Sequence, residues 1–275
     1  MCDRRSFFAA FLFVILCMTN AAGAGAQAFT SRGITEPLRD AKVSATVGGT
    51  IVAVDAKEGQ FVKAGDVVIE LDSALESLEA ERRKLLMEST VEVDAAQSRL
   101  DTLTVDLAGT RKLHDETKSV SDEELQKKEL ERKLAEAELQ RQILAQKREE
   151  IEYRMAQAQL QRRNVTAPFD GVVVQLLLEV GESCSQQQPL FRIVDTRRCR
   201  LVVHMEQGPS ARLRPGRQIG LRIQEAEGPV ALQGTVDFIS PVVDGSSGLR
   251  EVKVVFDNPD GRVHPGVAGV IAGDR

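Results

Sequence analysis

The 275-residue sequence predicts an elongated, multidomain α+β protein. Three observations support this prediction. An alternating apolar and polar unit occurs twice, a stretch with sustained seven-residue periodicity separates the two copies, and the last third contains short strands between turns. We therefore expect a split β-sandwich, an antiparallel α-helical coiled-coil hairpin inserted between its halves, and a small antiparallel β-barrel.

The repeated unit occupies residues 44–72 and again residues 165–195. In each copy a glycine precedes a valine-rich strand, a second glycine marks a turn, and a second apolar strand ends in aspartate. The matched positions are Gly48-Gly49 with Gly171, Glu58-Gly59 with Val180-Gly181, and Asp72 with Asp195. Since a pair of short strands is not stable in water, neither copy is expected to fold alone. The two copies should pack together as one sandwich.

This paired unit resembles the biotinyl/lipoyl-carrier fold, in which a lysine on the hairpin between the halves carries the cofactor. Here Glu70-Leu71-Asp72 is followed by Ser73, so serine stands in the place of that lysine. A swinging-arm carrier of biotin or lipoate is an alternative function that Ser73 disfavours. We expect no cofactor.

Residues 73–164 predict the helical hairpin. Ser73 and Glu76 fit a capping box at the start of the outgoing helix. The apolar stripe of the outgoing arm is Leu86, Val93, Ala96, Leu100, Leu103 and Leu107. The stripe of the returning arm, from about Ser121 to Arg163, is Leu130, Leu134, Ala137, Leu144, Ile151, Met155 and Ala158, with Arg141 and Arg148 on the same face.

Heptads on both sides of a central break indicate an antiparallel coiled coil with arms of about 43 residues each, or about 65 Å. One straight helix is the alternative, but it would hold the two half-sandwiches apart. The two stripe arginines either lie along the seam with their charged heads in water, or weaken the seam where other copies pack alongside.

The hairpin tip is expected near residues 114–121, because Ser121 and Glu124 repeat the capping-box pattern and Ser121 can be the N-cap of the returning helix. With these parts in order, the chain resembles periplasmic adaptor subunits (membrane fusion proteins, HlyD-like family) of tripartite efflux systems. In that family the tip carries an Arg, a Leu four residues later and a Ser seven residues beyond, followed by a Glu-containing helix start.

The serine end of the family motif fits Ser-Val-Ser-Asp-Glu-Glu-Leu at 119–125. The other end departs from it: Leu113 lies eight residues before Ser121, and Gly109 stands where Arg is expected. Either a one-residue insertion displaces Arg111, or the outer partner differs from the usual one. The resemblance implies a channel-binding set, which we call the tip set: Arg111, Leu113, Val120, Ser121 and Glu124.

Residues 196–275 predict the β-barrel, and residues 27–43 a linker with its first strand. The segments that resemble the adaptor barrel are Leu213-Arg-Pro-Gly216, Gly234–Pro241, Asn258-Pro259 and His264-Pro265-Gly266. Longer members of the family continue into a membrane-proximal domain, which is apparently absent from this sequence.

Residues 1–26 predict a cleavable signal peptide, with Arg4 and Arg5 before an apolar run and Ala24-Gly25-Ala26 as the cleavage site. An uncleaved membrane anchor is the alternative, although the run is shorter than the roughly 20 residues of a membrane span. A twin-arginine signal is a further alternative. Outside this segment, Cys184 and Cys199 either form a disulfide or stay as free thiols.

Composition and motifs give little sign of chemistry. The net charge of −5 does not support nucleic-acid binding. His114, His204 and His264 are scattered without nearby metal-ligand spacing, so no metal site is expected. Since we also find no catalytic constellation, a non-enzymatic role is expected.

The resemblance implies a protein exported to the periplasm and associated with the inner membrane. It would link an efflux transporter of the inner membrane, of the resistance-nodulation-division (RND) class, to a TolC-like channel of the outer membrane. It would also self-associate into a ring and support the export of small molecules, as in multidrug resistance. The same adaptor could serve an ABC-type exporter or a type I secretion system. A structural coiled-coil protein unrelated to transport is another alternative.

Overall fold

The computed structural model describes residues 30–272. The strands are β1 Thr30–Ser44, β2 Gly49–Val54, β3 Phe61–Val62, β4 Val67–Leu71, β5 Asn164–Thr166, β6 Gly171–Leu176, β7 Ser183–Cys184, β8 Pro189–Glu206, β9 Gln218–Glu225, β10 Gly228–Ile239, β11 Leu249–Asp257 and β12 Ala268–Ala272. The helices are α1 Ala74–Glu88, α2 Val91–Thr117, α3 Asp122–Gln161 and α4 Gln207–Ser210. The predicted signal peptide lies outside the described residues.

The chain divides into two compact units. Residues 40–194 form the first unit, which contains a β-sandwich and three long helices. In the described part of the chain, residues 30–39 and 195–272 form the second unit, a β-barrel. β1 and β8 contribute residues to both units.

Both halves of the sequence repeat contribute strands to the same sheets of the sandwich. β2 pairs with β4 of its own half and with β7 of the other half. In the same way, β6 pairs with β8 of its own half and with β3 of the other. The predicted association of the two halves is therefore confirmed, and it occurs by exchange of strands rather than by stacking of two separate sheets.

Equivalent backbone hydrogen bonds relate the two halves. The Gly59 N–H donates to the Val173 carbonyl at 2.7 Å, and the Gly181 N–H donates to the Ile51 carbonyl at 2.9 Å. Both glycines have positive φ, 84° and 92°, a region that glycine enters without steric cost. β2 and β6 also shift register at the same point, just after Ile51 and just after Val173. The repeat is thus preserved in backbone geometry as well as in sequence.

The core of the sandwich is apolar and receives side chains from both halves. Its fully buried large side chains include Ile51, Val68, Ile69 and Leu71 from the first half, and Val173, Leu190, Phe191 and Ile193 from the second. Full burial of one such side chain contributes about 1.5–3 kcal/mol. A half on its own would expose this surface, which explains why the halves require each other.

Two helical arms leave and re-enter the sandwich between β4 and β5, which pair so that Glu70 lies opposite Asn164. Close to the sandwich, Arg83 of α1 lies 3.6 Å from Glu149 of α3. Farther out, Asp106 of α2 lies 2.7 Å from Lys128 of α3. The outgoing arm, α1 followed by α2, therefore runs antiparallel to α3.

The positions of α3 that the outgoing arm shields from solvent form a heptad, which we call the seam stripe. It consists of Leu125, Lys128, Arg132, Ala135, Leu139, Gln142, Gln146, Glu149, Tyr153, Ala156 and Leu160. On the outgoing arm Val93, Ala96, Leu100, Leu103 and Leu107 are shielded, as predicted. Small residues such as Ala135 and Ala156 let the helices approach closely, and polar pairs complete the contact.

The prediction for the returning stripe is wrong. The predicted residues Leu130, Leu134, Ala137, Leu144, Ile151, Met155 and Ala158, with Arg141 and Arg148, form what we call the outer stripe, and all of them are exposed. Leu134 and Leu144 are each 61% exposed. The physical reason is phase: the outer stripe begins two residues after a seam position, which places it about 200° around the helix.

The outgoing arm is two helices instead of the single helix predicted. α1 ends at Glu88, Ser89 is extended at ψ 118°, and α2 starts after Thr90. Met87 is half-buried at the seam, whereas the predicted Leu86 is 45% exposed. Met87 and Val93 are six residues apart, one short of a heptad, so an unbroken helix cannot keep both residues in the seam.

The predicted capping box at Ser73 is also wrong. Ser73 is the N-cap of α1, but its hydroxyl makes no capping hydrogen bond. The Ala74 N–H instead donates to the Asp72 carboxylate at 3.1 Å. Glu76 is drawn away from the cap because it pairs with Arg163 at the end of the returning arm.

The barrel contains six strands in the order β1, β12, β9, β10, β11 and β8, and β8 pairs back with β1 to close it. A Cβ atom at Gly33 would lie 2.1 Å from the Val202 carbonyl oxygen, which explains the glycine where β1 meets β8. Its core is apolar and includes Leu201, Val203, Ile223, Val252 and Val254. The predicted strand before the sandwich is therefore present as β1.

Asn258 is a buried polar residue of the barrel, with 4% of its surface exposed. Its side-chain amide donates to the carbonyls of Thr196 at 2.9 Å and Val263 at 2.8 Å, and it accepts from the Val263 N–H at 3.0 Å. These bonds satisfy the amide inside the core and hold the loop after β11 against β8.

Cys184 and Cys199 are free and buried, so the free-thiol expectation is confirmed and the disulfide is not formed. Burial raises the pKa of Cys199 to about 11. Within residues 30–272, no helix combines the length and apolarity that a bilayer crossing requires.

Candidate partner-binding site at the hairpin tip

The chain reverses direction at the hairpin tip within residues 118–121. Lys118 adopts a left-handed conformation with φ 55°, and its N–H donates to the His114 carbonyl at 3.2 Å, which closes the C-terminus of α2. Ser121 starts α3, where its hydroxyl accepts from the Glu124 N–H at 3.2 Å. The prediction that Ser121 caps the returning helix is therefore confirmed.

His114 connects the two arms next to the turn. Its Nε2 lies 2.8 Å from an oxygen of Asp122 at the start of α3, and its Nδ1 lies 3.1 Å from an oxygen of the adjacent Asp115. The hydrogen bonds with Asp115 and Asp122 raise the pKa of His114 above its usual value, against the opposing effects of desolvation and of the Lys118 charge. A protonated imidazole donates to both carboxylates and so fixes the turn.

The sequence interpretation missed the role of His114 because it treated the three histidines as isolated. The relevant signal was present in the sequence. A histidine in the last turn of one helix stabilises that C-terminus, and an aspartate in the first turn of the next helix stabilises its N-terminus. A turn brings these two positions together, as it does for His114 and Asp122.

The tip set is only partly brought together by the fold. Val120, Ser121 and Glu124 lie at the turn and the first helical turn of α3, where Val120 is half-buried and Glu124 is exposed. Leu113 lies on the last turns of α2 and is 51% exposed. Arg111 instead forms an ion pair with Glu129 of the opposite arm, which occupies its guanidinium within the hairpin.

This arrangement can bind a partner by contact. The hydroxyl of Ser121 accepts in the cap, but its O–H remains able to donate outward. Leu113 supplies exposed apolar surface on the last turns of α2. Between residues 30 and 272 there is no cluster of three or more His, Cys, Asp or Glu side chains that could hold a metal ion.

The base of the hairpin is fixed by one arginine. Arg163, just after α3, pairs with Glu76 in the first turn of α1, and its other terminal nitrogen donates to the Gly48 carbonyl at 3.0 Å. The Arg163 carbonyl also accepts from the Leu71 N–H at 2.9 Å. Hydrogen bonds therefore join the end of the returning arm to the outgoing arm and to the sandwich.

Two family models match the chain. A CzcB-like, barrel-sandwich hybrid domain matches residues 39–195, and a CusB-like, beta-barrel domain matches residues 201–272. The first match covers more than half of the chain and includes the sandwich and the helical arms.

Among curated proteins, the chain is similar to the cobalt-zinc-cadmium resistance protein CzcB of Cupriavidus metallidurans. The two are 26% identical over 229 residues, which is 83% of this chain and 41% of CzcB. The chain is also 32% identical to the multidrug resistance protein MdtN of Escherichia coli over 75 residues, 27% of this chain and 22% of MdtN. The matched regions thus span less than half the length of these relatives.

Among solved structures, the chain is similar to MacA from Actinobacillus actinomycetemcomitans. The TM-score is 0.73 at 21% sequence identity, and the match covers 90% of this chain and 79% of that one. At this identity the similarity shows a shared fold.

Proposed function

This chain belongs to the CzcB-like barrel-sandwich hybrid family of membrane fusion proteins, and from that membership we propose that it is a periplasmic adaptor. It links an RND-class efflux transporter of the inner membrane to a TolC-like channel of the outer membrane. The observation that supports this role most directly is the long two-armed hairpin projecting from between β4 and β5. At the far end of this hairpin, the surface that a partner can contact is the compact turn between α2 and α3.

We assign a separate role to each part of the fold. The tip set binds the channel, the arms bridge the distance, and the sandwich and barrel engage the transporter side. The matched barrel family is CusB-like and RND-type, which supports that class of transporter over the ABC-type or type I alternatives. Self-association into a ring would give the exported molecule an enclosed path.

Binding at the tip is tested with Leu113→Glu in the full-length protein. We expect this variant to lose binding to purified TolC-type channels, because a charge replaces exposed apolar surface at the tip. Val105→Glu is the matched control, since Val105 is an exposed apolar residue of the same helix, farther from the tip. If both variants lose channel binding equally, or if neither variant loses it, a channel contact at the tip is contradicted.

Two substrate classes are suggested by the names of the relatives, metal cations by CzcB and drugs by MdtN. The match to CzcB extends over far more of this chain, so we propose cation export as the first class to test. Deletion of the gene should lower growth in cobalt, zinc or cadmium salts. Sensitivity that appears only towards organic drugs would assign the second class.

Export to the periplasm is proposed from the signal-like residues 1–26. N-terminal sequencing of the protein recovered from the periplasm should start near Gln27. A full-length N-terminus in the membrane fraction would indicate the uncleaved anchor instead.

A further inference from the structure

The β-sandwich contains a cleft at the place where its two halves meet, which we call the sandwich cleft. Its volume is about 680 Å³, within the range of small-molecule sites in proteins. The apolar residues that line it are Val54, Leu176, Leu177, Leu178 and Val180, and the acidic residues are Glu58, Glu179 and Glu182. All of them belong to the first compact unit, residues 40–194.

The approximate two-fold relation between the halves explains the position of the cleft. The two equivalent turn glycines exchange backbone hydrogen bonds with the opposite half. Their separation in sequence also relates Val54 to Leu176 and Glu58 to Val180. The cleft is lined by both members of each of these pairs, so each half of the repeat contributes to its walls.

The floor of the cleft is apolar and fixed in place. Its half-buried side chains pack against the core of the sandwich, and they are Val54, Leu176 and Leu178. Leu177 and Val180 are 40% and 60% exposed and lie in the loop after β6. The Leu177 N–H donates to the Leu190 carbonyl at 2.8 Å, which holds the start of this loop against β8. Apolar surface is therefore kept open to solvent on a rigid support.

Three carboxylates accompany this apolar floor. Glu58 accepts from the Leu176 N–H at 2.8 Å, and Glu182 accepts from the Glu179 N–H at 2.8 Å. These bonds hold two of the acids at the cleft and leave one oxygen of each without a hydrogen bond. Within residues 30–272, none of the three acids forms an ion pair with a basic side chain. The cleft therefore carries negative charge that the fold does not compensate.

The spacing of the acids favours a diffuse positive charge over a metal ion. In the part of the chain that the structure describes, no three His, Cys, Asp or Glu side chains are placed to hold a metal ion. The charges of the cleft are instead separated by leucine and valine surface. An organic cation has its charge surrounded by apolar groups, so it complements both the floor and the acids.

We propose that the sandwich cleft binds a small organic cation, with its apolar groups on the leucine and valine floor and its charge among the three carboxylates. This ligand site on the chain itself goes beyond the channel and transporter contacts of the proposed function and does not depend on them. Because the cleft is open and its charges are solvated, binding should be weak and should decrease as salt is added.

Equilibrium dialysis with the purified full-length protein tests the proposal. The two probes are tetraphenylphosphonium and tetraphenylborate, which have nearly the same shape and opposite charge. We expect saturable binding of about one tetraphenylphosphonium ion per chain at low ionic strength, and much weaker binding of tetraphenylborate. Apolar surface without the acids would not distinguish the two ions.

A charge introduced into the cleft separates this site from any other. Val180→Lys places a cation at an exposed position of the cleft, so the binding of tetraphenylphosphonium should be lost. Val91→Lys is the matched control, because Val91 is a comparably exposed valine at the start of α2 and does not line the cleft. This control should bind as the parent does, and circular dichroism should show that both variants fold like the parent.

Removal of single charges tests the acids. Glu58→Gln and Glu179→Gln should each raise the dissociation constant of tetraphenylphosphonium about two- to fivefold, the effect of one solvent-exposed charge contact. Glutamine at position 58 can still accept from the Leu176 N–H, so the floor stays in place. Asp55→Asn is the control, since Asp55 is an exposed acid near the same turn that does not line the cleft. It should leave the dissociation constant unchanged.

Three results would overturn the proposal. They are equal affinity for the two probes, unchanged binding of tetraphenylphosphonium by Val180→Lys, and no saturable binding of tetraphenylphosphonium. None of them bears on the channel-binding test of the tip, because the dialysis contains only this chain.

Discussion

Arg163 pairs with Glu76 across the base of the hairpin, and the two side chains are 20% and 21% exposed. The same guanidinium donates to the Gly48 carbonyl of the sandwich. One side chain therefore joins the end of the returning arm, the start of the outgoing arm and the loop before β2. Bending of the hairpin relative to the sandwich would have to break this pair.

A double-mutant cycle should measure the strength of the pair. We expect Arg163→Met to lower the free energy of unfolding by about 1–3 kcal/mol, since it removes charge-assisted hydrogen bonds from a half-buried site. Glu76→Gln should cost less, and the double variant should cost less than the sum. Urea denaturation measures these differences. The control is Glu79→Gln, in a more exposed ion pair, which should change stability less than Glu76→Gln does.

The same pair should make the hairpin base sensitive to acid. The hydrogen bond from Arg163 lowers the pKa of Glu76 below its usual value. A carboxyl group whose pKa is lowered by folding adds stability above its unfolded pKa, and this stability disappears as pH falls through the folded pKa. Stability measured between pH 7 and pH 3 should fall less steeply in Glu76→Gln. An unchanged slope would contradict the assignment.

The tip should respond to pH in the opposite direction. Asp115 and Asp122 raise the pKa of His114, so the protonated ring stabilises the tip at low pH and this stability is lost as pH rises through the raised pKa. NMR titration should give a pKa above about 6.5 for His114. Asp122→Asn and Asp115→Asn should each lower it. If neither change moves the titration, the two carboxylates do not act on His114.

The break in the outgoing arm should be repairable. One alanine inserted between Ser89 and Thr90 sets Met87 and Val93 seven residues apart, so that a continuous helix keeps both in the seam. We expect more helical circular dichroism and a higher melting temperature. The matched control inserts alanine between Gln97 and Ser98, which moves Leu100 and Leu103 out of phase and should lower the melting temperature. Equal effects from the two insertions would show that phase does not cause the break.

The barrel should depend on Asn258. Asn258→Ala removes the partner of the buried Val263 N–H and one hydrogen bond from each of the Thr196 and Val263 carbonyls, so we expect the free energy of unfolding to fall by about 2–3 kcal/mol. Urea denaturation measures the loss, and reaction of the buried Cys199 thiol with a maleimide reports opening of the barrel. Asp260→Ala, an exposed change in the same loop, should leave both measurements near the parent values.

The sequence predicted the repeated sandwich well because Gly59 and Gly181 mark equivalent turns and the apolar strands cannot be buried otherwise. The match of Asp72 to Asp195 is one residue out of register, since the separation of the equivalent glycines brings Ser73 to Asp195. The tip was located because Ser121 is a strong N-cap. The ion pair of Arg111 with Glu129 could not be predicted, because it joins the two arms. The spacing of residues within one arm does not reveal such a contact.

The seam of α3 could not be chosen from the sequence, because both of its faces follow a heptad spacing. Apolarity favoured the stripe containing Leu144 and Ile151. The structure shields the face with Ala135, Leu139 and Ala156, where small side chains and pairs such as Lys128 with Asp106 hold the arms together.

The pairing of Glu70 with Asn164 keeps β4 and β5 side by side at the point where the arms depart. The entry and exit of the insertion are therefore fixed by the sheet, whatever its length. Seven residues added to each arm would move the far end outward by about 10 Å without turning it to another face. The length of the arms can therefore change while the sheets at the base of the hairpin stay the same.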